Sequence, residues 1–201
     1  MNYYLEITLI PDAEANLGFL WHKVFQQVHI ALVENKIADN ESAVALSIVG
    51  YGEKPFPLGN ELRLLAKSEE VLQQLDIPRW LNRLNDYCHI KPIKPVPDNV
   101  AEYACFKRKA VKSIEKKAQR RAKHLNKSYE EVLAHLLKEG GSDPSKLPYI
   151  NVESQETKKR AEQGVSSRFL LFIDKSVTDH PVEGKFDCYG LSKTATVPCW
   201  D

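Results

Sequence analysis

One histidine of this sequence, His29, lies where an imidazole could take part in chemistry. Residues 15–34 carry apolar side chains at helical spacing, and His29 falls about 100° from the centre of that stripe, beside Phe25. A free imidazole titrates near ~6.5, so this side chain could move a proton at neutral pH. The same position suits a half-buried structural histidine, and the local sequence leaves both roles open.

The second chemical feature is a dense run of cations, FKRKAVKSIEKKAQRRAKHLNK, at residues 106–127. From Lys107 to His124, nine Lys and Arg residues and one acid, Glu115, give a local charge of +8. The whole chain has a formal charge of only +1, so the remainder must carry −7. This separation of charge suggests a polyanionic partner bound on one side of the protein.

Helical spacing sorts the basic run into two faces, since successive residues are about 100° apart. A solvated helix face normally mixes charge signs, and a membrane-bound helix needs a bulkier apolar face. The pattern therefore favours a nucleic acid, and composition does not choose between DNA and RNA. The cationic stripe is Lys109, Lys112, Lys116, Arg120, Lys123 and Lys127, and the opposite face is Val111, Ile114, Ala118, Ala122 and Leu125.

The elements that must position these residues begin with a strand, helix, strand, strand, helix, strand series. This order predicts an N-terminal ferredoxin-like domain of the split βαβ type. Ser68 is the expected cap of the second helix, and a turn of irregular helix is expected after Pro78. The predicted elements are residues 3–9, 15–34, 43–49, 61–66, 69–75 and 87–93.

Three prolines, Pro92, Pro95 and Pro97, mark a predicted domain boundary, because such spacing interrupts helices and central strands. We expect domains at residues 1–96 and 97–201 and an α+β fold class. The C-terminal half should hold the basic helix, then a helix opened by a capping box from Ser128 to Glu131 and ended by Gly140-Gly141. Strands are expected at 150–152, 169–173 and 185–189, and a polar loop at 158–167.

Bulk properties indicate an ordinary globular protein, with 43% hydrophobic and 27% charged residues among 201. No apolar run approaches the ~18 residues of a membrane span, and the N-terminal segment is a strand, not a signal peptide. The four cysteines lack metal-motif spacing and are interpreted as reduced, mostly buried thiols of a cytoplasmic protein. We expect no metal site and no cofactor.

The C-terminal sequence FDCYGLSKTATVPCW resembles the ending of the type I-F CRISPR repeat endoribonucleases, the Cas-six family of subtype f. The similarity lies in the run CYGLSK at 188–193 and in Val197-Pro198. Three other segments are similar in the same order. YYLEITLIPD resembles the first strand, VFQQVHIALV the helix with the catalytic histidine, and LPYINVESQET…SRFLLFI the serine-bearing strand and hairpin. The basic run lies where the family has its arginine-rich helix.

The resemblance implies a metal-independent cut in precursor CRISPR RNA at the 3′ base of each repeat hairpin. The RNA's own 2′-hydroxyl would be the nucleophile and leave a 2′,3′-cyclic phosphate. His29 would be the general acid/base, Ser154 would hold the 2′-hydroxyl, and Tyr189 would line the site and orient His29. Phe169 would stack on the base pair that closes the stem. The protein would then stay on the mature crRNA as a subunit of the type I-F interference complex.

The resemblance also implies that the basic helix enters the major groove of the hairpin. The sequence departs from the family in using more Lys than Arg, and Ala110 stands where the family reads a base with Gln. Glu156, near Ser154, stands where a small hydroxyl residue is expected. The implied RNA-binding residues are Arg108, Lys109, Lys112, Lys116, Lys117, Arg120, Arg121, Lys123, His124 and Phe169.

Two other functions stay open. A non-catalytic subunit that holds a structured RNA in a ribonucleoprotein would use the basic helix but would not need His29, Ser154 or Tyr189. A DNA-binding regulator would require a dimer and affinity for duplex DNA, and no segment resembles a dimerisation helix.

Overall fold

The structure is a computed structural model of the chain, and it describes residues 1–110, 114–138, 147–153 and 168–200. Two compact units divide it, one formed by Met1–Arg108 with Pro148–Asp201 and the other by Lys109–Leu147. The fold is α+β with two antiparallel sheets, as predicted for the class. Within the described ranges, no helix has the length and apolar character needed to cross a membrane.

The predicted N-terminal elements form the first sheet and the helices that connect its strands. Its strand order is β2-β3-β1-β4, every pairing is antiparallel, and a short β5 also pairs with β1. The sequence placed each longer element correctly to within a few residues, because apolar periodicity decides these segments. The elements are β1 (Tyr3–Leu9), α1 (Leu17–Glu34), β2 (Ala45–Ile48), β3 (Glu61–Ala66), α2 (Glu69–Leu75), α3 (Ile77–Trp80), a 3-10 turn (Asn82–Leu84), β4 (Cys88–Ile90) and β5 (Lys94–Pro95).

Helix α1 begins at a well-formed cap and buries an apolar stripe. The Asn16 side chain accepts a hydrogen bond from the Phe19 amide at 3.0 Å, which satisfies one of the free N–H groups of the first turn. Trp21 and Phe25, the bulkiest members of the stripe, are almost completely buried. This packing fixes the rotation of α1, and so decides which way its polar residues face.

The second sheet belongs to the same unit as the first. Its strands are β6 (Glu102–Lys109), β7 (Tyr149–Glu153), β8 (Arg168–Thr178) and β9 (Val197–Cys199), in the order β7-β8-β6-β9. A buried ion pair lies in the first sheet, where Arg63 contacts its cross-strand neighbour Glu6 at 2.7 Å. Arg63 also donates to the carbonyl oxygen of Trp200 at 2.6 Å, so a residue following β9 is tied to the first sheet.

The basic helix is shorter than predicted, because residues 106–109 belong to β6. Tyr103 and Ala104 pair with β9, and the segment from Ala104 to Phe106 is buried in the sheet. The sequence pattern would let this segment continue the helix of the cations that follow. Burial of its apolar residues in the sheet favours the strand instead. The helix itself, α4, spans Ile114–Leu125. Lys109 is therefore a strand residue, Lys127 lies beyond the helix end, and Val111 and Lys112 lie outside the described residues.

A two-helix unit holds α4. The serine cap of the predicted capping box is confirmed, since Ser128 Oγ accepts from the Glu131 amide at 3.1 Å at the start of α5 (Tyr129–Lys138). Ala118 and Ala122 of α4 are buried against Val132, and the cationic side of α4 is exposed. Small residues at the contact let the two helices approach closely. Gly140-Gly141 and the predicted loop at 158–167 lie outside the described residues.

The strand predicted at 185–189 is wrong. Phe186 forms only an isolated bridge with Ser42, and residues 187–190 form a turn. Asp187 and Gly190 favour that turn over a strand, since an Asx side chain bonds nearby amides and glycine adopts a positive φ readily. Strand β9 was not predicted, and it contains Pro198, a residue that strands disfavour. The proposed division at residues 96 and 97 stays a prediction.

Gly190 should be intolerant of a side chain. Its φ is +72°, and a Cβ atom would lie 2.8 Å from Leu46 Cβ. We expect Gly190→Ala to lower the free energy of unfolding by roughly 2–4 kcal/mol, from backbone strain plus overpacking. Denaturant-induced unfolding of the parent protein and the variant measures this difference in the free energy of unfolding.

Gly52 provides the matched control, because it has a φ of +87° but open space around the Cβ position. Gly52→Ala should cost about 1–2 kcal/mol from the backbone alone. Equal losses for the two variants would contradict the close contact with Leu46.

Candidate active site

His29 is held by one hydrogen bond from its ring. Its Nδ1 lies 2.7 Å from the carbonyl oxygen of Cys188. A carbonyl only accepts, so Nδ1 carries the proton and donates it. In the neutral ring, Nε2 is then the unprotonated nitrogen and can accept a proton from another group. Helix α1 thus supplies an imidazole whose tautomer suits a general base.

Tyr189 stacks on the histidine and fixes the plane of its ring. The two ring centroids are 4.0 Å apart and the planes differ by only 3°. On the α1 side, Phe25 is nearly parallel to Tyr189 as well, at 6.3 Å and 9°. One hydrogen bond and one stacking contact therefore determine both the position and the orientation of His29.

The turn at residues 187–191 exists because Asp187 caps it. Its Oδ1 accepts hydrogen bonds from the amides of Tyr189 at 2.9 Å and Leu191 at 3.1 Å. The Gly190 amide also donates to the carbonyl of Asp187 at 2.8 Å. This geometry directs the Cys188 carbonyl and the Tyr189 ring toward α1. A continuous strand would instead direct its carbonyls toward neighbouring strands.

Arg108 and Phe169 lie next to the stacked rings. The guanidinium carbon of Arg108 is 5.2 Å from the Phe169 ring centroid and 6.0 Å from that of Tyr189. Arg108 is exposed at the end of β6, and Phe169 is half-buried near the start of β8. A planar cation beside aromatic rings can bind phosphate or a base edge. The structure thus brings together His29, Tyr189, Arg108 and Phe169.

Burial controls protonation in this cluster. Burial lowers the pKa of His29 below its ordinary value, and the Cys188 carbonyl and the charge of Asp187 partly offset that effect. Burial raises the pKa of Asp187, against the opposing effects of the Leu191 and Tyr189 amides and the charges of His29 and Arg108. His29 is therefore neutral at pH 7 with Nε2 available. Among the described side chains, no group of three or more His, Cys, Asp or Glu residues could hold a metal ion.

Two more α1 side chains bind the backbone of β7. His22 Nδ1 donates to the carbonyl oxygen of Asn151 at 2.7 Å, and Gln26 Oε1 accepts from the Glu153 amide at 2.9 Å. Sequence reasoning gave these residues and Asp187 no role. The turn signal in Asp187-Cys188-Tyr189-Gly190 was available, whereas side chains that bind distant backbone leave no sequence pattern.

The remaining predicted site residues belong to other segments of the chain. Ser154 follows the last described residue of β7, so it lies outside the described residues, as do Lys112 and Glu156. Lys109 ends β6, and Lys116 is in α4. The exposed residues of α4 in the two-helix unit are Lys117, Arg120, Arg121, Lys123 and His124 among those predicted. Their participation in RNA binding, and that of Ser154 in the site, stays a prediction.

Comparison with known proteins places nearly the whole chain in one family. Residues 4–200 match the model of a family described as CRISPR-associated protein (Cas_Csy4). The chain belongs to the Cas_Csy4 family. A CRISPR-associated endonuclease Cas6/Csy4 of Escherichia coli (strain UTI89 / UPEC) is 31% identical over 98% of this chain and 99% of its own length. A CRISPR-associated endonuclease Cas6/Csy4 of Pseudomonas aeruginosa (strain UCBPP-PA14) is 29% identical over the same shares.

The surroundings of His29 predict how this Cas_Csy4 family member titrates. In an NMR titration of the free protein, His29 should titrate below 6.5 and carry its proton on Nδ1 when neutral. Because the unfolded chain binds this proton more readily, the free energy of unfolding should decrease as the pH falls below about 6.5. His29→Gln identifies the signal and should flatten that decrease. A titration midpoint above 6.5 would contradict the buried, neutral ring.

Proposed function

We propose that this chain is a metal-independent endoribonuclease that cuts precursor CRISPR RNA at the 3′ base of the repeat hairpin. The observation that carries the proposal is the His29 ring, with Nδ1 committed to the Cys188 carbonyl and Nε2 left as a base, stacked on Tyr189. Family membership and the endonuclease relatives support nucleic-acid cleavage. RNA contains a nucleophile next to each phosphate, so proton transfer and positioning suffice for the reaction.

In the proposed reaction, the 2′-hydroxyl upstream of the cut attacks the adjacent phosphorus. The bond from phosphorus to the 5′-oxygen of the next nucleotide breaks, which gives a 2′,3′-cyclic phosphate and a 5′-hydroxyl. His29 Nε2 takes the proton from the 2′-hydroxyl, and water supplies the proton that the leaving 5′-oxygen gains. The imidazolium then returns its proton to the solvent, so the step has no net change in protons. Ser154 would orient the 2′-hydroxyl nucleophile. Tyr189 would hold the imidazole plane so that Nε2 faces that hydroxyl.

Arg108, Phe169 and α4 would hold the RNA. We propose that Phe169 stacks on the base pair at the foot of the stem and that Arg108, beside that ring, binds the adjacent base or phosphate. The exposed cations of α4 would enter the hairpin groove, whose phosphates attract them. After cleavage, the protein would stay on the crRNA and join the other subunits of a type I-F interference complex. The N-terminal half is proposed to be a ferredoxin-like domain, consistent with the strand order β2-β3-β1-β4.

Cleavage of a labelled repeat hairpin tests the chemistry directly. We expect cutting in excess EDTA, with a 2′,3′-cyclic phosphate on the 5′ fragment. One 2′-deoxynucleotide upstream of the cut should abolish cleavage and leave binding intact, because phosphate and shape contacts persist. Cleavage of the deoxy substrate at the normal position would exclude the 2′-hydroxyl mechanism. Tight binding without any cleavage would favour the non-catalytic RNA-binding subunit.

Loss of the imidazole should separate catalysis from binding. We expect His29→Ala to reduce the single-turnover cleavage rate by about 10²–10⁴-fold, the usual contribution of one acid/base group. Hairpin affinity should change little. His89→Ala is the control, because His89 is an exposed histidine on β4. Equal rates for His29→Ala and the parent protein would remove His29 from the mechanism.

The cations of α4 should set the salt dependence of binding. Arg120→Ala with Lys123→Ala removes two exposed charges. The slope of log affinity against log salt should fall by roughly 0.7–0.9 for each phosphate that the variant no longer neutralises. Lys54→Ala with Lys67→Ala removes two exposed charges from the other unit and should leave the slope nearly unchanged. Equal slopes for the two double variants would exclude α4 as the RNA-binding element.

A further inference from the structure

One acidic residue in the cluster, Asp187, has no part in the reaction proposed above. It is half-buried, and it lies in the turn that contacts His29 through both the Cys188 carbonyl and the Tyr189 ring. A carboxylate kept partly out of water needs partners, and Asp187 finds them in two backbone amides. An uncharged side chain could satisfy those same amides, so the negative charge itself calls for an explanation.

We propose that Asp187 is a positioning residue for His29, which fixes the turn that holds the imidazole and supplies the negative charge that stabilises its protonated form. This inference rests on the proposed function, because it assigns to His29 the proton transfer described there. Asp187 itself touches no reacting atom.

The positioning role follows from the hydrogen bonds of the turn. One carboxylate oxygen binds the amides of Tyr189 and Leu191, and the Asp187 amide donates to the Leu191 carbonyl at 2.8 Å. These bonds close the turn around Cys188, whose carbonyl is the acceptor for His29 Nδ1. Without the carboxylate, two amides lose their acceptor and the carbonyl and the stacking ring are no longer fixed relative to α1.

The electrostatic role follows from the charges around the ring. Asp187 directly precedes Cys188, whose carbonyl binds His29 Nδ1 at 2.7 Å, so its charge lies near the ring. That charge favours the imidazolium that forms when Nε2 accepts a proton. Arg108 on β6 acts on Asp187 as a counter-charge, and Tyr189 and Cys188 are the other titratable groups of the turn. Lys36 and Asp39, of opposite sign, act on the Cys188 side of the turn. Asp187 thus offsets the cost of burying a ring that must become charged during the reaction.

Asp187→Asn separates the two roles. The amide oxygen of Asn can accept from the same two backbone amides, but the charge is gone. We expect the NMR titration midpoint of His29 to move to lower pH by about one pH unit. The part of the pH–rate profile that depends on His29 should also move to lower pH, because the ionisation of His29 controls both the NMR titration and the cleavage rate. Asp187→Ala also removes the cap, so it should lower the cleavage rate at every pH.

Asp179→Asn is the matched control, because Asp179 is an exposed aspartate bonded to another histidine, His180, at 2.6 Å. It should leave both His29 curves unchanged. If Asp187→Asn proves unfolded by circular dichroism, Asp187→Ser makes the same test, since a serine hydroxyl can also accept from the amides. Superimposable His29 titrations for the parent protein and the uncharged variant would overturn the proposal.

The titration and the kinetics also distinguish failure of the proposed RNA cleavage from failure of the proposed role of Asp187. If the parent protein cuts no hairpin RNA, the proposed function fails, while the shift of the His29 midpoint still decides whether Asp187 acts on the ring. If the parent protein cuts and the Asp187→Asn profile coincides with it, the role of Asp187 fails and the proposed function stands.

Discussion

One face of helix α1 holds together segments that are far apart in the sequence. His22, Gln26 and His29 are spaced by four and three residues, so they share that face. Each binds a backbone group, at Asn151, Glu153 and Cys188. Buried amides and carbonyls need partners, and these groups lie on β7, the edge strand of the second sheet as described, and in a turn. The site exists because a helix satisfies the backbone of the C-terminal segments.

The His29 ring is therefore inseparable from the fold. His29 acts as part of the α1 face, and its bond to Cys188 contributes to docking the turn as well as to selecting the tautomer. Gly190 lets that turn approach Leu46 of β2, with its carbonyl accepting from the Leu46 amide at 2.9 Å. The tight approach leaves little freedom for the ring stack. Precision of this kind is what a general base needs, since a small displacement from the reacting atoms greatly reduces the rate.

The charge separation seen in the sequence has a simple structural basis. Alanines at the α4–α5 contact let α4 pack closely while its long cationic side chains stay in water. The site cluster, in contrast, uses a single exposed guanidinium, Arg108, beside aromatic rings. The dense row of cations and the isolated guanidinium therefore belong to different elements of the fold.

The amino-acid sequence was enough to predict most of the regular elements, the α+β class and the family, because apolar periodicity, capping residues and a motif such as CYGLSK are local properties. It also singled out His29 and Tyr189 through the family resemblance. It could not show that 106–109 is a strand, since pairing within the second sheet decides between two compatible periodicities. Nor could it reveal Asp187 or Gln26. Their partners are backbone groups, which every residue possesses, so the folding of the whole chain decides which of them meet a given side chain.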